Sequence, residues 1–133
     1  MTGAPRYYRL ATEVTTILAV TDCLFCKIVA KDIPATIVHE TDRTLAFRDL
    51  NPQAPTHVLV IPKGHYENAA ALAAADDGLA DEVLTTAHAV AVQEGVADSG
   101  YRLVFNTGPQ SGQTVFHVHG HLLGGRDLLW PPG

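Results

Sequence analysis

The chain is poor in several features that would mark it for a class. It has two cysteines in 133 residues, too few for a disulfide scaffold, and Cys23 and Cys26 lie too close together for a loop-closing bridge. Basic residues are scarce as well, with nine Lys and Arg against fourteen Asp and Glu, a net charge of 9 − 14 = −5. That balance excludes a general binder of polymeric nucleic acid, although backbone N–H groups and imidazoles can still grip a single phosphate. No apolar run approaches the roughly 18 residues of a membrane span. Residues 14–20 follow Arg6 and Arg9, but the stretch is short, broken by threonines and lacks a small-x-small cleavage site, which argues against a signal peptide. Asp22 before Cys23 argues against a lipoprotein. A reducing cytoplasm is the expected location. Repeats, low-complexity tracts and charge blocks are absent too, so residues 1–21 are expected to be a variable extension and 22–133 a single domain.

What remains is a globular composition. Hydrophobic residues make up 47% and charged residues 17% of a 14.2 kDa chain, long enough to bury roughly 65–70% of its unfolded surface. Residues 25–30 read as a short helix or turn, stopped before Pro34. Residues 36–40 and 45–48 form strand-like runs joined by the turn residues Thr41, Asp42 and Arg43, which predicts a hairpin. Two prolines make 51–55 a loop. Residues 57–61 are a continuous apolar strand, closed by Pro62 and Gly64. Residues 69–75 suggest a short helical turn. One long helix follows, capped by Asp76 or Asp77, with Leu79, Val83, Ala87, Val90 and Ala91 on one face and Gly95 free to end it. Residues 101–106 and 115–123 read as the last strands. The expectation is an α+β fold with a mostly antiparallel five-stranded sheet, one long helix and a short N-terminal helix.

Seven histidines are present, and His117, His119 and His121 alternate. In a strand such residues share one face at steps of about 7 Å, too far for direct mutual hydrogen bonds. Alternating imidazoles can hold a metal, or a neutral imidazole can attack phosphorus while its neighbours fix the tautomer. The surroundings favour the second. Asn106, Gln113, Thr114 and the glycines at 108 and 112 offer neutral donors suited to a phosphate, and no nearby carboxylate completes a hydrolytic metal centre.

The run His117-Val118-His119-Gly120-His121-Leu122-Leu123 resembles the signature of the histidine triad (HIT) superfamily. The segments 25–28, 33–35, 47–57 and 123–126 and the terminal Trp-Pro-Pro-Gly resemble its nucleotide-binding phosphoramidase (Hint) branch, so the resemblance covers about residues 22–133. It implies hydrolysis of purine nucleoside 5′-phosphoramidates at the α-phosphorus, with no metal in the chemical step. His119 resembles the nucleophile that forms a covalent nucleotidyl-histidine. His117 and His121 complete the triad, and His57 resembles the fourth histidine that supports it, unless it is a strand-end residue bonded to a carbonyl. Asp49 resembles the acceptor of the ribose hydroxyls, while Phe25, Ile33, Phe47 and Leu50 resemble the base-pocket walls or are simply core. Asn106, Gln113 and Thr114 match phosphate-side positions; a turn asparagine capping the next loop is the alternative for Asn106. Other members of the superfamily cleave dinucleoside polyphosphates, or bind nucleotides as scaffolds with little turnover.

Three further expectations follow from the resemblance. Cys23 and Cys26, with His65 and His117, resemble a structural zinc site of some triad proteins; two reduced, buried thiols are the alternative, and no βαβ unit supports a redox motif. A homodimer is implied, with the tail and the long helix as contact regions and Trp130 able to reach a neighbouring site. Gly120 stands where a larger apolar residue is usual, so packing behind the triad is expected to be weaker.

Overall fold

The computed structural model describes residues 22–133; the proposed extension 1–21 lies outside them. The order is α1 (Leu24–Val29), β1 (Ile37–Glu40), β2 (Thr44–Arg48), β3 (Thr56–Pro62), α2 (Ala69–Ala74), α3 (Leu79–Gln93), β4 (Tyr101–Phe105), a 3-10 turn (Pro109–Ser111) and β5 (Gly120–Gly124). The strands form one sheet in the order β1-β2-β3-β5-β4, antiparallel at each pairing. The α+β architecture is therefore the expected one.

Strand alternation divides the interior in two. Ala46, Val58, Val60 and Leu122 point toward the apolar stripe of α3, formed by Leu79, Val83, Ala87, Val90 and Ala91. Leu45, Phe47, Leu59 and Ile61 point the other way and pack under Phe25 and Ile28 of α1. By the same alternation His57 and His121 lie on the α1 side of the sheet. The hairpin turn is held by Thr41 Oγ1, which accepts from the Arg43 and Thr44 N–H groups. Asp77 Oδ1 accepts from the Leu79 N–H at the start of α3, and Gly95 ends that helix with φ 76°.

The final strand is shorter than the sequence predicts. It begins at Gly120, not at residue 115, because its pairing with both neighbours ends there, although β3 itself runs two residues beyond Val60, the partner of Gly120. On one side Phe105, the last residue of β4, lies opposite Gly120. On the other, β3 ends at Pro62, which has no N–H to donate. The Val118 N–H bonds instead to the Tyr66 carbonyl at 2.7 Å. His117 and His119 are thus on a loop, and only His121 is in the strand.

Gly120 also departs from expectation. A Cβ there would lie 2.9 Å from both Leu103 Cδ1 and Phe105 Cζ. The neighbouring side chains fill the space that the missing side chain leaves, so the packing is closed.

Candidate active site and metal centre

The loop lets the histidines converge in a way that a flat strand face does not permit. The rings of His119 and His121 are 4.9 Å apart, against the roughly 7 Å step of an extended strand. His121 Nδ1 is 3.0 Å from His57 Nε2, so the fourth histidine is a direct partner of the third triad member. Asp49 Oδ2 lies 3.4 Å from the same His57 nitrogen.

Backbone groups fix which nitrogens carry protons. The Gln53 N–H donates to His57 Nδ1 at 3.0 Å, which puts the His57 proton on Nε2 and directs it to His121 Nδ1. His121 then carries its own proton on Nε2, the nitrogen facing away from His57. His119 Nδ1 donates to the His117 carbonyl at 2.8 Å, leaving His119 Nε2 with its lone pair free. Burial keeps these rings neutral. It lowers the pKa of His57 and of His119 below 6.5; Asp49 opposes the effect at His57, and the bond to the His117 carbonyl, then Asp49, oppose it at His119, without reversing it. Burial, with His119 and His57 adding to it, takes His121 down to about 4.

Beside the imidazoles is a cavity of about 220 Å³. Phe25, Ile33, Phe47 and Asp49 line it, together with Ile28, Leu59 and Arg48. Leu50 lines it too but is 99% exposed, which makes it the mouth of the cavity. The Phe25 ring stands edge-on to His119 at 5.0 Å and to Phe47 at 5.4 Å, joining cavity to triad. Asp49 Oδ1 accepts from the Asn51 N–H.

The other sequence candidates are placed differently. The Gln113 amide is buried and fully engaged, accepting from the Gly108 N–H and donating to the Glu67 and Val115 carbonyls. A phosphate would have to compete with those bonds. Thr114 is exposed on the same loop, and Asn106 directly follows β4. The Gln53 N–H and the Pro62 carbonyl were not legible as site groups, since backbone atoms carry no residue signature.

Cys23, Cys26, His65 and His117 form a second cluster, with all four ligand atoms within 4.8 Å of one another. The cysteines lie three apart at the start of α1, so one turn brings both sulfurs to one side. His65 comes from the loop after β3 and His117 from the loop before β5. Cys23 Sγ is 3.4 Å from His117 Nδ1; Cys26 Sγ is 3.4 Å from His65 Nδ1 and 3.5 Å from His117 Nδ1. Tetrahedral zinc with bonds of about 2.3 Å to sulfur and 2.0–2.1 Å to nitrogen would hold S and N roughly 3.5 Å apart. The donor set and its spacing therefore fit zinc. His117 Nε2 donates to the Pro62 carbonyl at 2.9 Å, an outer contact that turns Nδ1 toward the sulfurs. Both cysteines are free thiols. The hydrogen bond between them brings Cys23 down to about 2, and the same bond, with burial, pushes Cys26 far up, so one of the pair is readily a thiolate.

A family model for the HIT domain matches residues 30–128. The chain belongs to the HIT family. It is 50% identical to a 14 kDa zinc-binding protein of Zea mays, over 83% of this chain and 87% of that one. It is 46% identical to Adenylylsulfatase HINT1 of Arabidopsis thaliana, over 93% of this chain and 88% of that one. Among solved structures, a HIT family hydrolase from Legionella pneumophila superposes with a TM-score of 0.80 at 51% identity, covering 84% of this chain and 99% of that one. Among the described residues of this HIT protein, no helix is long and apolar enough to cross a membrane.

Proposed function

We propose that this HIT protein hydrolyses purine nucleoside 5′-phosphoramidates at the α-phosphorus, through a covalent nucleotidyl-histidine on His119. The observation that carries the reading is the bond from His119 Nδ1 to the His117 carbonyl, which leaves Nε2 as an unprotonated nucleophile next to an apolar cavity. The base lies between Phe25, Ile33 and Phe47, with Leu50 at the mouth, and Asp49 accepts from the ribose hydroxyls. His119 Nε2 attacks phosphorus, the P–N bond to the amine breaks with its electron pair going to nitrogen, and that nitrogen takes a proton from solvent water as the amine leaves. His121 Nε2–H donates to a phosphoryl oxygen as its charge develops. Because its pKa is near 4, His121 acts as a neutral donor near pH 7, held in that tautomer by His57. Asn106 and Thr114 lie on the phosphate side. Gln113 acts there by holding the loop. Water then cleaves the P–N bond to His119 and releases the nucleoside monophosphate.

A second substrate is favoured by the relative named as an adenylylsulfatase. Adenylyl sulfate presents the same α-phosphorus with sulfate as the leaving group, and needs no change in the attacking residue. Cys23, Cys26, His65 and His117 hold a structural zinc ion outside the reaction. The protein works as a cytoplasmic homodimer, a reading supported by the free thiols and by the open edge of β4, whose residues are all half-buried.

The test is a substrate panel with mass spectrometry of the acid-quenched enzyme. The expected result is AMP release from an adenosine phosphoramidate, with a nucleotidyl adduct on His119. Binding of AMP without turnover on any substrate would make the protein a binding module. Faster cleavage of a diadenosine polyphosphate would move it to that substrate class.

A further inference from the structure

His117 belongs to both sites. Its ring faces the two thiols through Nδ1 and is fixed on the other side by the Pro62 carbonyl. Its backbone carbonyl holds the Nδ1 proton of His119. The residue is fully buried, with its ring engaged at both nitrogens and its carbonyl bonded to the His119 ring. A second connection runs through α1. Phe25 sits between the two cysteines in sequence, and its ring meets His119 at 5.0 Å and His117 at 6.0 Å while lining the cavity. With six residues, α1 is too short to hold its shape alone. What fastens it is the burial of Phe25 and Ile28 and whatever ties down its cysteines.

We propose that the metal site and the nucleotide cavity are coupled through His117 and Phe25, so that zinc and a purine nucleoside monophosphate each tighten the binding of the other. The idea rests on the nucleotide reading given above. Without metal, the cluster is held by sulfur–nitrogen contacts of 3.4–3.5 Å. Coordination replaces these with bonds that fix α1 and the His117 loop together. The nucleotide then no longer has to order Phe25 and His119 as it binds. Linkage requires the effect to be mutual and equal in size.

The experiment uses the whole protein, zinc-loaded and metal-free, with AMP binding measured by titration calorimetry. Zinc affinity is measured against a competing chromophoric chelator, with and without AMP. The expected result is AMP at least about fivefold tighter in the zinc-loaded form, with zinc tightened by the same factor when AMP is present. His65 does not line the cavity, so His65→Ala should bind AMP like metal-free protein even with zinc in solution. Equal AMP affinity in both forms, with the metal-free form keeping its circular dichroism and its melting transition, overturns the coupling and leaves the nucleotide site standing. A chain that takes up no zinc overturns the coupling too. Failure of both forms to bind AMP overturns the nucleotide reading as well.

Discussion

In the proposed reaction His119 is prepared as the nucleophile by one hydrogen bond, from its Nδ1–H to the His117 carbonyl. A neutral imidazole has one N–H and one lone pair, and the His117 carbonyl takes the N–H. Replacing the ring with a methyl group removes the nucleophile but leaves the cavity walls, so His119→Ala should lower kcat by at least about a thousandfold while AMP still binds. Steady-state assays with a parallel binding titration check this. The pH dependence follows from the same residues. His57 and His119 have pKa values below 6.5 and His121 lies near 4, and the working form is neutral. Activity should therefore be full above pH 6.5 and be lost only as pH falls through the lowered values. An acid limb of kcat/KM at or above 6.5 would contradict this. Stability moves in the same direction: the unfolded chain takes up these protons first, so urea midpoints should fall between pH 6.5 and about 4.

At the level of elements, the late start of β5 at Gly120 matters most. Leu103 and Phe105 of β4 lean into the space above the glycine, an arrangement in which a cross-strand aromatic covers a residue with no side chain. Gly120→Val should cost about 1–3 kcal/mol, because the added carbons displace packed side chains; urea denaturation measures it. Helix α1 makes the complementary case. It is too short to persist by itself, and its fastening includes two metal-type ligands. On the proposal that zinc occupies the cluster, stripping it with a strong chelator should lower Tm by at least about 4 °C, read by calorimetry with the metal content assayed alongside.

At the scale of the whole molecule, β4 is, among the described residues, an edge strand of the sheet, and its Arg102 donates to the Leu128 and Leu129 carbonyls of the tail. Trp130 in the tail is 81% exposed. An open, half-apolar edge invites pairing with another copy. Light scattering after gel filtration should therefore give about twice the 14.2 kDa chain mass. A monomer at micromolar concentration would remove the dimer from the account.

The sequence by itself determined the order of the elements, the split of α3 into a buried and a wet face, and the grouping of histidines near residue 120. Each of these depends on periodicity and turn chemistry, which are local. It also held both halves of the candidate metal cluster as residue types, although 94 positions separate Cys23 from His117. Tertiary structure alone decided how the histidines meet. The strand reading of residues 115–123 spaced them evenly along one face. The proline at the end of β3 and the end of β4 instead released His117 and His119 into a loop, where the carbonyl of one can reach the ring of the other. Proton placement on His57, His119 and His121 follows from backbone groups of Gln53, His117 and the neighbouring ring. Every residue except proline carries the same backbone N–H and C=O, so only the path of the folded chain selects which of them faces an imidazole.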